Sequence, residues 1–226
     1  KRKIVEPPRE YPFIHQLTGE AAYQVVVDTI KAILYQRGQV SAPINQLSMA
    51  LKSAEMGQSS ATLGVKLNKP RRFMTSLEEL YGHLSILQLF EFETELITIY
   101  VTLGNTIMTP KEVYQINMRV SNQINLTTKQ VSRIKRELQM QLISDVLAGP
   151  ELGRNKISVF LKCKHSIAAD GLVSRPNFNI KNSSRTKFFH LNFGCSSEEV
   201  VHYFADDYIT YHIVPTLRGL EDKSFQ

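Results

Sequence analysis

Between Leu96 and Val120 the sequence alternates apolar and polar residues in two runs. Ile97, Ile99, Val101 and Leu103 stand against Thr98, Tyr100 and Thr102, and then Tyr114, Ile116, Met118 and Val120 stand against Gln115, Asn117 and Arg119. A period of two sends each set to its own face of a pleated strand, so this stretch predicts a hairpin with one face in a core. The connection contains Thr109-Pro110-Lys111-Glu112, which in isolation matches a capping box with proline at the first helical position. Alternation resumes at Tyr114 and leaves room for one turn at most, so the connection is predicted to be irregular rather than helical.

Helical periodicity flanks this hairpin. Ala22, Val25, Val26, Thr29, Ile30, Ile33 and Leu34 recur at three- and four-residue spacing between Thr18, suited to an N-cap, and Gly38, a left-handed stop. Asp28 and Lys31 lie opposite the stripe, so a core-facing helix is predicted, its last turn carrying Gln36 and Arg37 to a surface edge. A short helix over about 44–53 follows. Residues 57–70 turn to Gly, Ser, Asn and Lys with little periodicity and read as a flexible loop. Leu77, Leu80, Tyr81, Leu84 and Leu87 then predict a second core helix over about 73–92. After the hairpin, Thr127 and Gln130 form a capping box, and Val131, Ile134, Leu138 and Leu142 make the stripe of a third helix. Its other face holds Lys129, Arg133, Lys135, Arg136 and Gln139, and Gly149-Pro150 ends it.

Beyond that point the pattern is β. Ile157, Val159, Leu161 and Cys163 alternate with polar partners, Lys187, Phe189, Leu191 and Phe193 repeat the pattern, and Tyr208 to Val214 supply a last strand that Pro215 terminates. Helix, helix, hairpin, helix and strands, with no βαβ repetition, predict an α+β architecture: three main helices on one face of a mainly antiparallel sheet. With 226 residues, 42% of them hydrophobic, the chain is expected to form one domain over 1–226, with 1–12 as an N-terminal tail. No apolar run approaches the roughly 18 residues that span a bilayer, and Lys1 to Pro12 lack the apolar stretch of a signal peptide. Cys163 and Cys195 are too few for a disulfide framework, so a soluble protein of a reducing, intracellular compartment is expected.

The chemical alternatives are weak. Cys163, His165, His190 and Cys195 lack the paired short spacings of structural zinc modules, and alternation places Cys163 in the core rather than beside a general base. Asp206 and Asp207 are adjacent, so in a strand they point to opposite faces and cannot share one site. No phosphate-binding glycine loop, serine elbow or His-Glu-x-x-His string occurs, and no cofactor is expected. Lys and Arg outnumber Asp and Glu by 27 to 21, giving +6, but the short basic clusters lack aromatic interleaving, so a basic nucleic-acid module is the least favoured reading.

Three separated strings carry a more specific signal: Tyr35-Gln36-Arg37 closing the first helix, Leu103-Gly104-Asn105 with Thr109-Pro110-Lys111-Glu112, and Asp206-Asp207-Tyr208-Ile209 leading to Pro215 and Gly219. In order and context they resemble the comet family of HORMA-like adaptors, over about residues 12–221. The resemblance implies a HORMA-like fold whose C-terminal segment (Tyr208, Ile209, Tyr211, Ile213) fills its own groove as an added strand. It implies a non-enzymatic adaptor for the closed form of the checkpoint protein called mitotic arrest deficient two, contacted through Gln36, Arg37, Arg133, Lys135 and Arg136. Lys135 stands where the family has an aromatic anchor, which implies a more electrostatic contact. A second implied partner is a Pch-type AAA+ ATPase, met by Arg175, Pro176 and Asn177, with Asn177 where a lysine is common. The implied role is silencing of the spindle checkpoint, in nucleus and cytoplasm. The alternative within this fold is a HORMA protein that itself captures a closure-motif peptide.

Overall fold

The computed structural model describes residues 7–56, 61–89, 95–146, 150–176, 178, 180, 183–205 and 207–220, with the backbone alone at 55, 56, 61–67, 145 and 146. The predicted hairpin lies inside a seven-stranded mixed sheet. Its strands are β2 (Glu95–Gly104) and β3 (Glu112–Val120), paired antiparallel from Glu95 opposite Val120 to Leu103 opposite Glu112. The other strands are β1 (Arg9–Phe13), β4 (Lys156–Cys163), β5 (Leu172–Ser174), β6 (Lys187–Phe193) and β7 (Ile209–Arg218). The order across the sheet is β1-β6-β3-β2-β4-β7-β5. Among the described strands, β6 pairs parallel with β1 and β3 and the other pairings are antiparallel.

Helices α1 (Gly19–Gln36), α2 (Ile44–Met56), α3 (Ala61–Leu84) and α4 (Thr128–Gln141) supply apolar side chains to one core with one sheet face. α1 starts where Thr18 accepts from the Ala21 N–H and stops at Gly38, whose φ of 64° suits glycine. Val25, Val26, Ile30, Ile33 and Leu34 of α1 are fully buried with Ile97, Ile99 and Val101 of β2. Each such aliphatic side chain contributes roughly 1.5–3 kcal/mol of transfer free energy. α3 lies against β7.

The opposite sheet face is covered as well. α5 (Ser197–Tyr203), begun by a capping box of Ser196 and Glu199, puts Val200 with Phe204 and Leu96 in a second small cluster. The segment after β5 lays Phe178 on Phe160, with ring centroids 4.1 Å apart. Polar residues on this face pair with one another: Thr98 Oγ1 donates to Asn117 Oδ1 at 2.8 Å, and Asn117 Nδ2 to Asn192 Oδ1 at 2.7 Å.

Several expectations change. Residues 9–12, read as tail, belong to edge strand β1, because Tyr11 and Phe13 turn inward and Phe13 stacks on Phe193 at 4.3 Å. Edge position is where Pro12 is tolerated. Of the span read as a flexible loop, 61–70 form the first turns of α3, which contains Pro70; residues 57–60 lie outside the described residues. Proline forfeits one helical hydrogen bond, and the buried Phe73, Leu77, Leu80 and Leu84 that follow hold the helix in place. The second helix ends at Leu84 in a tight turn over Ser85–Leu89. The last strand starts at Ile209, so Tyr208 precedes it, and it runs past Pro215 to Arg218. A bulge makes this possible: Val159 pairs with Ile213 but Ile157 pairs with Leu217, so Pro215 falls in the unpaired excess.

Candidate protein-interaction surface

Two of the strings singled out in the sequence, and the Gly219 to which the third leads, meet in space. Arg37, one residue past α1, is 3% exposed, and its Nε–H is shared between Glu112 Oε2 at 2.9 Å and Tyr114 Oη at 3.0 Å. Tyr114 Oη also donates to the same carboxylate. Burial works against the Arg37 charge, yet Tyr114 and Glu112 outweigh it and raise its pKa. Arg37 is thus a correction to the expected surface edge: it is an internal strut between α1 and β3. Gly104 allows the connection to fold back, since a Cβ there would lie 2.8 Å from Pro110 Cα. Lys111 N–H closes that turn onto Leu103 O at 2.7 Å.

Gln39, two residues on, latches the C-terminal end. Its Nε2 donates to Arg37 O at 2.8 Å, its Oε1 accepts from Asn155 N–H at 2.8 Å, and its backbone O accepts from Leu220 N–H at 2.6 Å. Glycine at 219 suits this closeness, as a Cβ would meet Gln39 Oε1 at 2.5 Å and crowd the Gln39 backbone O at 3.1 Å. Between latch and start, β7 pairs on both sides, with β4 and with β5. Tyr211 and Ile213 are buried in the core, Ile209 is half-buried, and the ring of the exposed Tyr208 carries Lys162 Nζ at 3.7 Å.

Held by this frame, α1 and α4 present an outer surface. The capping box at Thr127 and Gln130 starts α4, and Ile134, Leu138 and Leu142 are buried in the core. Lys135 bridges to Asp28 of α1 at 2.9 Å, so it ties the two helices together instead of standing free. Arg133 and Arg136 are exposed and line a shallow groove of about 250 Å³ with Lys129. At the other end of α4 a groove of about 380 Å³ runs between α1, α2 and the wide turn over Leu142–Val146. Tyr35, Gln36, Gln139 and Ile143 line it. Tyr35 is 41% exposed, Ile143 60% and the adjoining Met140 67%. An apolar, partly aromatic surface flanked by guanidinium groups and amides has the make-up of a protein interface centre.

Arg175 and Pro176 lie on the far sheet edge, both exposed. Arg175 N–H donates to Thr210 O of β7 at 2.7 Å, and Phe178 N–H closes a turn onto Arg175 O at 3.0 Å. Asn177 lies outside the described residues. Among the described residues no group of three or more His, Cys, Asp or Glu side chains is arranged to hold a metal ion. Burial pushes the Cys163 thiol up to about 12 and the Cys195 thiol to about 11, which leaves neither a ready nucleophile.

The family model described as "p31comet: Mad1 and Cdc20-bound-Mad2 binding" matches residues 11–222. The chain belongs to the p31comet family. It is similar to the MAD2L1-binding protein of Mus musculus, 24% identical over 216 residues that make up 91% of this chain and 76% of the mouse protein. The Homo sapiens MAD2L1-binding protein is 23% identical over 219 residues, 91% of this chain and 77% of the human one. The residues of this surface and its frame that sequence reasoning passed over are Tyr35 as a contact, Gln139, Met140, Ile143 and the latch Gln39. Two of these carried a signal. Met140 and Ile143 fall outside the α4 stripe of Ile134, Leu138 and Leu142, and apolar residues off the stripe mark exposed apolar surface.

Proposed function

We propose that this chain is a non-enzymatic adaptor of HORMA-like architecture that binds the closed form of mitotic arrest deficient two and covers that protein's dimerisation face. The observation that carries the reading is the α1–α4 surface in a p31comet-family chain: Tyr35, Gln36 and Ile143 around one groove, Met140 exposed beside it, and Arg133 and Arg136 along the same helix. Gln36 sets register through its amide, and Arg133 and Arg136 steer acidic groups of the partner. Lys135 acts indirectly by fixing α4 on α1, and Arg37 by fixing the end of α1. The filled position of β7 favours this reading over capture of a closure-motif peptide, because β4 has no open edge beside β7 to offer one.

The same reading assigns Arg175, Pro176 and Asn177 to a Pch-type AAA+ ATPase, to which the adaptor hands its bound partner for opening, silencing the spindle checkpoint in nucleus and cytoplasm. A turn fastened to β7 and stacked on Phe160 suits that task, since it displays Arg175 without an ordering cost. The test mixes the purified chain with partner locked open or locked closed on a sizing column. Co-elution with the closed form alone is expected; equal binding to both, or to neither, removes the proposal. Arg175→Glu is expected to weaken capture by the ATPase while leaving partner binding unchanged.

A further inference from the structure

A second cleft, of about 520 Å³, lies between α3 and the end of β7, and none of its lining residues belongs to α1, α2 or α4. Lys69, Arg72, Arg154 and Arg218 line it, and among the described residues no lining residue is acidic. Lys69, Arg72 and Ser76 sit three and four residues apart on α3, so they share one face. On β7 Thr216 and Arg218 point outward around the buried Leu217, as alternation requires. Among the described residues Lys69, Arg72 and Arg218 form no ion pair, although carboxylates elsewhere neutralise Arg37, Arg119 and Lys135. Cations gathered in one concave site repel each other and focus a positive potential, which a bound anion relieves.

We propose that this cleft is a docking site for an acidic peptide segment that carries an apolar residue among its carboxylates. The floor selects the ligand class. Leu220, half-buried, is the apolar lining residue that stays open, with Phe73 and Leu217 packed beneath it, and this suits an apolar side chain better than a bare inorganic anion. A single nucleic-acid strand needs exposed aromatic rings for its bases, and the cleft's one aromatic, Phe73, is 5% exposed. The two rim arginines of α3 and β7 offer planar forks that match carboxylates. The hydroxyl of Ser76 adds a donor between them.

Fluorescence anisotropy tests this with a labelled decapeptide of glutamates around a central Leu-Phe pair, at 0.15 M salt. The full chain and a chain ending at Leu220, which lacks the acidic Glu221 and Asp222, are both titrated. Arg72→Glu with Arg218→Glu is expected to weaken binding at least about tenfold, because reversing two charges turns two attractions into repulsions. Replacing the Leu-Phe pair by Ser-Ser is expected to weaken it several-fold. Circular dichroism checks that the reversed variant folds, and Lys69→Gln with Arg72→Gln serves if it does not. Binding absent in both chain lengths, binding unchanged by the charge variants, or displacement of the peptide by equimolar tripolyphosphate or oligothymidylate would each overturn the assignment. Ile143→Asp is expected to leave peptide binding intact, so failure here stays separate from failure of the adaptor reading.

Discussion

The Arg37 strut permits a quantitative test. Arg37→Ala removes a guanidinium that is 3% exposed and leaves the Glu112 carboxylate, 2% exposed, buried beside the fully buried Tyr114. The pair is short, with 2.9 Å between Arg37 Nε and Glu112 Oε2. Breaking a buried pair from one side typically costs 3–5 kcal/mol, far more than the pair contributes net, because the surviving charge loses both water and partner. At about 2–4 °C per kcal/mol for a chain of this size, the melting temperature should fall by roughly 6–20 °C. Urea denaturation of wild type, Arg37→Ala, and the double variant Arg37→Met with Glu112→Leu would measure it. The double variant should recover much of the loss, since two apolar groups of similar volume leave no charge unpaired. Loss below about 1 kcal/mol in Arg37→Ala, or a double variant worse than the single one, refutes the strut.

Three further outcomes are expected. Met140→Asp with Ile143→Asp should leave the melting temperature within about 2 °C, since both side chains are mostly exposed, but weaken closed-partner binding at least about tenfold by calorimetry. Burial raises the Glu95 pKa to about 7, so the folded state holds a proton that the unfolded chain releases near 4.5; stability falls as pH rises through that window and is lowest above it. The shift is worth about 3 kcal/mol. Glu95→Gln should therefore stabilise the protein more at pH 8 than at pH 4.5, read from urea midpoints, and an equal effect at both would contradict this. Phe178→Ala should speed hydrogen exchange of the Arg175 and Phe178 amides at least about tenfold while the core amides of β2 stay protected, because that ring anchors the turn on Phe160 and Tyr100.

What the sequence made legible was what is decided locally. Thr18 and Gly38 bracket α1 because caps act within a few residues, and the hairpin of β2 and β3 is plain because period-two alternation is a property of each strand alone. Arg37 was misplaced because its partner, Glu112, is 75 residues away, and nothing beside a charged residue at a helix end announces a buried carboxylate. β1 was hidden by its brevity, its Pro12 and a parallel partner near residue 190. The first turns of α3 carry Gly64, Asn68 and Pro70, poor helix formers overridden by tertiary packing. α5 is different: Ser196 and Glu199 make a readable capping box, but the helix is only seven residues long and too short to show an apolar stripe.

The meeting of the first two strings with Gly219 explains why these residues occur together. Arg37 needs Glu112 at the start of β3, and Glu112 reaches it because Gly104 lets the chain turn back across Pro110. Two residues beyond Arg37, Gln39 packs closely on Gly219, whose lack of a Cβ leaves its amide in place, and its backbone O holds the end of β7 through Leu220 N–H. β7 in turn carries β5 and the Arg175 turn, which among the described residues pair with no other strand. One polar frame therefore sets the end of α1, where Gln36 meets solvent, and the seating of the last strand, on which Arg175 is displayed. Changes that loosen Gln39 should disturb both surfaces together, whereas changes on α4 should disturb only the first.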